Sequence, residues 1–451
     1  MPFSLKPGLL LGVATAPAQI EGGDADHSWN DWARRGHIKD GSSPRRANDH
    51  YARVAEDTAL LGALNAQVYR FGVEWARIEP DCGVFDPNAI AHYRSELTLL
   101  KAAGIAPLIT LHHFSNPMWF ERLGAFEKAG NIPYFLRYVE HVVHALGDLV
   151  HEFITINEPN VYALNGYFTG EWPPGRRSLM QTLRVMSVLA ECHLQAYPLI
   201  HRIQRELGHA GARVGFANHL CAFAPKNPKK CLHRLCTPLL ERLFQGSLTV
   251  AMTTGRCHWP IMRLSQRAPG VYADFHGLNY YSRHAVSGFG YGFLDECPKN
   301  DLGWEIDPDG LLQCAETLHA LAPLPIYITE NGTCDNADAF RSRYIYEHLA
   351  RICASSLPIE RYYHWCFLDN FEWAEGEQAR FGLVHVDYET QRRTVKDSGR
   401  FYASIIAEGG VSEALYRTCV AGRRYPHEPD ASFSASAAAH EALLNNGGAP
   451  Q

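Results

Sequence analysis

Eight short apolar runs recur along the chain, and longer segments with helical spacing of apolar residues separate most of them. Apolar runs without a strict alternation are typical of strands buried on both faces of a parallel sheet. The predicted strands cover 9–15, 66–71, 105–111, 154–157, 213–218, 274–281, 326–330 and 362–370. The helical spacing predicts helices over 51–64, 90–103, 134–146, 179–207, 311–321 and 341–356.

This alternation of strands and helices bounds the domain organisation. No low-complexity linker interrupts it, which favours one α/β domain, and eight strands favour a closed (β/α)8 TIM barrel. We assign the barrel to residues 1–425 and expect 426–451, rich in Ala, Ser, Gly and Asn, to form a flexible tail. The stretches 222–271 and 282–301 give little pattern and fall where loops after the fifth and sixth strands are expected.

Composition and charge exclude some classes of partner. The formal net charge is −6 without a long run of either sign, which disfavours nucleic acid. No segment has the apolar length of a membrane span and the first residues lack a signal-peptide pattern, so we expect no membrane partner. The 12 Cys are scattered without a disulfide spacing, which favours the reducing cytoplasm.

The sequence gives little support for a metal or organic cofactor. Cys231 and Cys236 flank His233, but a single C-x4-C is a weak zinc signal, and thiols on a helix or loop are the simpler interpretation. His112 and His113 are adjacent in a strand, so their side chains face opposite ways and only one can point into the barrel. We therefore expect no metal and no cofactor.

Polar residues follow nearly every predicted strand, at the face where (β/α)8 enzymes carry their active sites. They are Gln19, Arg70, His113, Asn157 with Glu158, Asn218, Asn279 with Tyr281, Glu330, and Trp365. Any one of them alone is commonly a satisfied structural group. Together they offer dense hydrogen bonding and an aromatic plate, which suit a sugar ring, and two carboxylates, which suit acid/base chemistry.

Several ordered motifs resemble glycoside hydrolase family 1, the β-glucosidase and β-glycosidase family of (β/α)8 barrels. They are Thr155-Ile-Asn-Glu158-Pro, Ile328-Thr-Glu330-Asn-Gly, Asp369-Asn-Phe-Glu372-Trp373, Gln19-Ile-Glu-Gly, Tyr69-Arg70-Phe, Thr110-Leu-His-His113, Gly277-Leu-Asn279-Tyr-Tyr281 and Arg380-Phe381-Gly-Leu-Val. The similarity extends from about residue 10 to 402. It implies a retaining β-glycosidase that acts on small β-glycosides or oligosaccharides from the non-reducing end.

The resemblance also implies roles for individual residues. Glu158 would be the general acid/base and Glu330 the nucleophile, with their carboxyl groups about 5–5.5 Å apart. Arg70 and Tyr281 would favour ionised Glu330, and Asn279 would support the transition state. The implied sugar ligands are Gln19, His113, Asn157 at the 2-hydroxyl, Trp365 under the ring, Glu372, Trp373 and Phe381.

Alternative interpretations remain open at this point. A 6-phospho-β-glycosidase is disfavoured because the carboxylate of Glu372 would repel the phosphate. A non-catalytic sugar-binding protein would predict loss of Glu158 or Glu330, and both are present. Arg70 could be a structural ion-pair partner, a role compatible with a catalytic one. Ala18, Cys366 and the pair Glu377-Gln378 depart from the family pattern, and transfer of the glycosyl unit to another acceptor is a further expectation.

Overall fold

A closed barrel of eight parallel strands forms the centre of the computed structural model, which describes residues 2–426. Its strands are β1 (Leu10–Ala14), β2 (Val68–Gly72), β3 (Ala106–Thr110), β4 (Glu152–Asn157), β5 (Arg213–His219), β6 (His276–Asn279), β7 (Ile326–Asn331) and β8 (Ile359–Trp365). Neighbours in the chain are neighbours in the barrel, and β8 pairs with β1 to close it. The predicted (β/α)8 fold class is confirmed. The largest difference is in β8, which begins three residues earlier and ends at Trp365.

The strands form where they were predicted because their apolar side chains are buried on both sides of the sheet. Val13, Val68, Ile109, Ile154 and Ile328 are all fully buried. Burying such a side chain contributes about 1.5–3 kcal/mol relative to leaving it exposed. Since all eight strands run parallel, their carboxyl ends lie at one face of the barrel, where the polar residues collect.

Helices surround the barrel and include all six that the spacing predicts. Asp86 and Ser178 fix two of their beginnings, because each side chain accepts a hydrogen bond from a backbone N–H in the first turn. The long helices are His50–Ala63, Pro87–Ala102, Ile132–Leu146, Leu179–Glu206, Pro308–Leu321, Arg341–Ala354 and, not predicted, Asp397–Glu408. None of the helices between residues 2 and 426 is both long and apolar enough to cross a membrane.

The two stretches without a clear pattern build one small structure beyond β5 and β6. Strand Ala222–Pro225 pairs with Arg283–Ser287, which pairs with Gly290–Gly292, to give a three-stranded sheet. Helix Cys231–Glu241, a π-helical turn Arg242–Gly246 and helix Ser247–Thr254 follow the first of these strands. Cys231 and Cys236 lie on that first helix, the former exposed and the latter buried, and both are free thiols.

Shorter elements complete the described chain. Two further strand pairs join Phe3–Ser4 to Gly410–Val411 and Val384–Val386 to Arg393–Val395. The remaining helical segments are Pro17–Ile20, Ser28–Arg34, Trp75–Ile78, Met118–Arg122, Ala125–Glu127, Ala129–Asn131, Pro159–Ala163, Leu164–Thr169, Trp373–Glu375 and Glu413–Cys419. The predicted tail at 426–451 lies, apart from its first residue, outside the described residues.

Candidate active site

Glu330 lies at the end of β7, where two donors hold its carboxylate. Arg70 of β2 donates through Nη1 to Oε1 at 2.5 Å, and the Tyr281 hydroxyl donates to Oε2 at 2.5 Å. Arg70 is itself fixed by the Thr329 carbonyl at 3.0 Å and by Thr110 Oγ1 at 3.1 Å. Arg70 is fully buried, so this ion pair lies out of contact with solvent. Both oxygens of Glu330 thus have a fixed direction.

Glu158 follows β4 in an unusual backbone conformation. Its φ of 39° and ψ of 59° lie in the left-handed region, which residues other than glycine seldom adopt. The Glu158 N–H donates to the Ala217 carbonyl at 2.7 Å, and the helix Pro159–Ala163 begins immediately afterwards. Strain of this kind persists where surrounding structure fixes it, and it is frequent at functional sites. The turn directs the Glu158 side chain towards Asn279, whose Nδ2 donates to Glu158 Oε1 at 2.8 Å.

Two chains of contacts join the carboxylates. In the first, Arg70 Nη2 and Asn279 Nδ2 both donate to Asn157 Oδ1, at 2.6 and 3.0 Å, and thereby link Glu330 to Glu158. In the second, the ring of Tyr281 stacks on the ring of His219, with centroids 5.8 Å apart. The His219 Nδ1 lies 3.3 Å from Glu158 Oε1. Strands β2, β4, β6 and β7 are therefore tied together at their carboxyl ends.

The environment of Glu330 sets its charge state. Burial raises the pKa of Glu330, and so does the negative charge of Glu158, while Arg70 and Tyr281 oppose the rise; the net pKa is about 7. Without these two groups the buried carboxylate would be protonated at neutral pH.

A cavity of about 350 Å³ opens above the two carboxylates. Eight of the predicted site residues line it, namely His113, Glu158, Tyr281, Glu330, Trp365, Glu372, Trp373 and Phe381. The other four, Gln19, Arg70, Asn157 and Asn279, lie behind them as hydrogen-bond partners. A cavity of this size, with apolar walls and a few polar groups, is typical of a small-molecule site.

Indole and imidazole rings form one wall of the cavity. The His113 ring stacks on Trp365 and on Trp373, with centroids 5.8 Å apart in both cases. Asn157 Nδ2 donates to His113 Nε2 at 2.9 Å, so the other ring nitrogen, Nδ1, carries the proton. Burial and the charge of Arg70 lower the pKa of His113 well below its usual value, which keeps the ring neutral. The wall thus presents apolar faces and one neutral donor.

Unused hydrogen-bonding capacity remains in the wall that contains Gln19 and His113. Gln19 Nε2 donates to the Phe371 carbonyl at 2.8 Å and to Glu372 Oε2 at 3.2 Å. Between residues 2 and 426, no protein group satisfies the buried Gln19 Oε1 or His113 Nδ1. Buried polar atoms are usually paired, so this acceptor and this donor indicate a polar ligand.

The charge of Glu372 depends on pH. Burial and the nearby charge of Glu330 raise the pKa of Glu372 to about 8, while Gln19 opposes the rise. Glu372 is therefore largely neutral at pH 7, and the expected repulsion of a phosphate by its charge is weaker than the sequence suggested. The described lining residues of the cavity include no Lys or Arg, the side chains that most often bind a phosphate.

Sequence reasoning missed His219 and Cys221. We took Asn218 as the polar end of the fifth strand, but Asn218 Nδ2 donates to Thr249 Oγ1 at 2.5 Å, away from the carboxylates. Strand β5 continues to His219, which faces Glu158, and His219 Nε2 lies 3.1 Å from Cys221 Sγ. The two-residue alternation of side chains along a strand was the signal that could have found it.

Burial on its own would raise the pKa of the Cys221 thiol. His284 and His219 outweigh this effect and lower the pKa to about 6. His219 responds in the opposite direction. Burial opposes its protonation, but Cys221 and Glu158 raise the pKa of His219 well above its usual value. His219 and Cys221 thus lie side by side on the wall of the cavity and shift each other's pKa in opposite directions.

The closed barrel and the pair of buried carboxylates at its carboxyl face define the class of (β/α)8 glycosidases. The model of the family described as "Glycosyl hydrolase family 1" matches residues 3–245 and 271–411. The chain therefore belongs to glycosyl hydrolase family 1, and the resemblance seen in its motifs is confirmed.

Similar proteins support this assignment over nearly the whole chain. Beta-glucosidase A of Thermotoga maritima is 30% identical over 448 residues, which cover 90% of this chain and 98% of the relative. Among solved structures, a beta-glycosidase from Pyrococcus horikoshii has a TM-score of 0.83 at 30% identity and covers 93% of this chain and 98% of its own. A Thermotoga maritima beta-glucosidase in complex with glucoimidazole has a TM-score of 0.82 at 29% identity, covering 90% and 100%.

Proposed function

We propose that the protein is a retaining β-glycosidase that hydrolyses unphosphorylated β-D-glycosides from the non-reducing end, with β-glucosides as the first candidates. The observation that carries this proposal is the unequal environment of the two carboxylates. Glu330 accepts short hydrogen bonds of 2.5 Å from the buried guanidinium of Arg70 and from the Tyr281 phenol, whereas Glu158 accepts from the neutral Asn279 amide at 2.8 Å and lies 3.3 Å from the His219 ring. Two carboxylates with different environments are suited to be nucleophile and acid.

In the first step the ionised Glu330 attacks the anomeric carbon of the bound sugar. The glycosidic C–O bond breaks, and Glu158 gives its proton to the departing oxygen. The products are a glycosyl ester on Glu330 and the free alcohol. Arg70 and Tyr281 direct the carboxylate of Glu330 and stabilise its charged form before the attack.

In the second step Glu158, now a carboxylate, takes a proton from water while the water oxygen attacks the same carbon. The ester bond breaks, Glu330 leaves as a carboxylate, and Glu158 is protonated again. Each step inverts the anomeric carbon, so the product keeps the β configuration. An alcohol in place of water would give transfer of the glycosyl unit.

Sugar recognition is assigned to the wall that contains the unpaired groups. Gln19 Oε1 and His113 Nδ1 would bind hydroxyl groups, Trp365 would pack under the ring, and Glu372 and Trp373 would contact the far end of the sugar. Asn157 would contact the 2-hydroxyl, and Phe381 would close the side of the cavity. The lack of Lys and Arg in the lining supports an unphosphorylated sugar.

A panel of nitrophenyl β-D-glycosides, plain and 6-phosphorylated, tests this proposal with the wild type and Glu330→Gln. We expect turnover of plain glycosides that falls by at least about 10³-fold in the variant. NMR of the first-formed sugar should show the β anomer. Sugar binding without turnover would favour a binding protein, and turnover of only the phosphorylated substrates would favour a 6-phospho-β-glycosidase.

A further inference from the structure

An exposed apolar surface lies beside the mouth of the cavity. We call it the apolar ridge, and it consists of Leu232, Leu235 and Leu239 of the Cys231–Glu241 helix together with Phe289 of the neighbouring hairpin. Leu235 is 67% and Phe289 is 78% exposed. The residues that this helix buries are instead Cys236 and Thr237. A helix that presents leucines at spacings of three and four to solvent is the reverse of an ordinary surface helix.

The apolar ridge is continuous with the wall of the cavity. A Cβ atom added at Gly288 would lie 3.5 Å from Leu232 Cδ2, so the hairpin tip rests against the helix. Two residues after Phe289, Tyr291 of the same hairpin lines the cavity, and its ring centroid is 4.5 Å from that of His284. An aglycone that leaves the cavity past Tyr291 therefore reaches the apolar ridge.

Basic residues are concentrated in the segment that contains the helix of the apolar ridge, although the whole chain is acidic. Between residues 226 and 267 the sequence has eight Lys and Arg residues and one acidic residue, in a chain of net charge −6. Lys229, Lys230 and Arg234 are exposed, and no ion pair involves them within the described part of the chain. Exposed apolar side chains flanked by Lys and Arg are typical of segments that bind an anionic lipid surface.

The charge argues against a second copy of the chain as the occupant. In a symmetric dimer the same surface faces itself, so the unpaired cations of both copies would lie together and repel. A lipid surface that contains anionic headgroups accepts the cations and buries the leucines at the same time. Each basic residue near such a surface contributes favourably, and salt screens the effect.

We propose that the apolar ridge and its basic flank dock on an anionic lipid surface and that, if the proposed function holds, the substrates there are β-glycosides with a lipid or long alkyl aglycone. Docking would place the cavity mouth at the level of the lipid headgroups. The sugar of the substrate would then enter the cavity while its alkyl chain stays in the lipid. This revises the expectation of no membrane partner, which rested on the lack of a spanning segment and of a long basic run.

Co-sedimentation with phosphatidylcholine vesicles, with and without phosphatidylglycerol, tests the docking. We expect at least about tenfold more bound protein on the anionic vesicles, with the difference lost at high salt. Two variants should abolish it, one with Leu232, Leu235 and Leu239 changed to Ser and one with Lys229, Lys230 and Arg234 changed to Gln. Matched controls change exposed residues elsewhere and should bind like the wild type, namely Val84→Ser with Leu123→Ser, and Lys101, Arg122 and Arg392 changed to Gln.

Activity in the same vesicles tests the substrate class. A dodecyl β-glycoside embedded in anionic vesicles should be hydrolysed about tenfold faster by the wild type than by either ridge variant, while a soluble nitrophenyl glycoside should be hydrolysed equally by all of them. Normal turnover of the soluble substrate without vesicle binding would overturn the docking and leave the proposed function standing. Vesicle binding without turnover of the soluble substrate would overturn the proposed function and leave the docking standing. A third outcome is that the wild type does not bind vesicles and forms a dimer that the leucine variants turn into a monomer. This outcome would assign the apolar ridge to a second copy of the chain and overturn the docking.

Discussion

Arg70 is the residue on which the charge state of Glu330 depends most directly. It donates to Glu330, to Asn157 and to the backbone, so its guanidinium both orients and neutralises the nucleophile. Nucleophilic attack needs ionised Glu330, whose pKa is about 7. Activity should therefore be present above this pH and fall as the pH drops through it.

Arg70→Met should move the acidic limb of the pH–activity profile, where activity falls as the pH drops, to higher pH. Removal of the cation raises the pKa of Glu330, so the limb of kcat/KM should shift upward by at least about one pH unit. Arg70→Lys, which keeps a charge, should shift it less. Arg213→Met is the matched control, because Arg213 lies in β5 but pairs with Glu360 at 2.7 Å, outside the cavity. An unchanged limb in Arg70→Met would contradict the assigned role.

Cys221 should be the thiol at which alkylation stops catalysis. The thiolate forms above a pKa of about 6, so inactivation by iodoacetamide should speed up as the pH rises through that value. A bound glycoside analogue should protect the enzyme, since Cys221 lines the cavity. Cys221→Ser should resist the reagent, whereas Cys82→Ser and Cys231→Ser, which remove exposed thiols, should not. Equal inactivation of Cys221→Ser would refute the assignment.

At the scale of elements, β1 and β2 approach each other closely in the barrel wall. A Cβ atom at Gly12 would lie 1.6 Å from the Val68 carbonyl oxygen, so only glycine fits there. Gly12→Ala should lower the free energy of unfolding by at least about 3 kcal/mol. Gly62→Ala is the control, because no atom lies within 4 Å of its added Cβ and helical Ala is favoured over Gly. Urea unfolding of both variants checks this, and equal stability would count against it.

The barrel strands could be predicted from the sequence because they depend on local patterns. The apolar runs around Val68, Ile109 and Ile328 indicate buried strands by themselves, without knowledge of which strands lie beside them. The small sheet beyond the barrel could not be predicted, since Ala222 pairs with Arg283 across 61 residues, the first strand has only four residues and the second contains Arg, His and Ser. Its strands depend on tertiary pairing, which no local period encodes.

The candidate site divides in the same way. Residues within strand-end motifs, such as Glu158 and Glu330, could be identified from the sequence. The contact of His219 with Glu158 was missed, because it requires knowing that β5 extends one residue beyond Asn218. Likewise, the pKa of Glu372 depends on burial and on Glu330, which lies 42 positions earlier in the chain. Side-chain environment is a property of the folded site.

At the scale of the whole molecule, a buried charge network joins the beginning of the chain to its end. His50 Nδ1 lies 2.8 Å from Asp57 Oδ2 and His50 Nε2 lies 3.3 Å from Glu96 Oε1, while Arg393 Nε donates to Asp57 at 2.9 Å. Burial opposes protonation of His50, but Asp57 and Glu96 raise its pKa to about 10. The imidazolium therefore stabilises the fold together with Arg393.

This network predicts a specific loss of stability with rising pH. A His whose pKa is raised on folding contributes fully below its usual pKa of about 6.5 and loses that contribution as the pH rises to about 10. His50→Gln should lower the free energy of unfolding by on the order of 3 kcal/mol at pH 6. Between pH 7 and 10, the free energy of unfolding of the variant should fall less than that of the wild type. Denaturant unfolding across that range measures both, and parallel curves would contradict the prediction.

Covalent trapping on Glu330 tests the central claim most directly. A 2-deoxy-2-fluoro β-glycoside with a dinitrophenyl leaving group should form the glycosyl ester and react no further at an appreciable rate. Fluorine destabilises the oxocarbenium-like transition states of both steps, and the good leaving group speeds up only the first. Mass spectrometry of the digested protein should then find one fluoroglycosyl group on the peptide that contains Glu330, and none in Glu330→Gln. Turnover of ordinary β-glycosides with no adduct, or an adduct on another residue, would contradict the proposed mechanism.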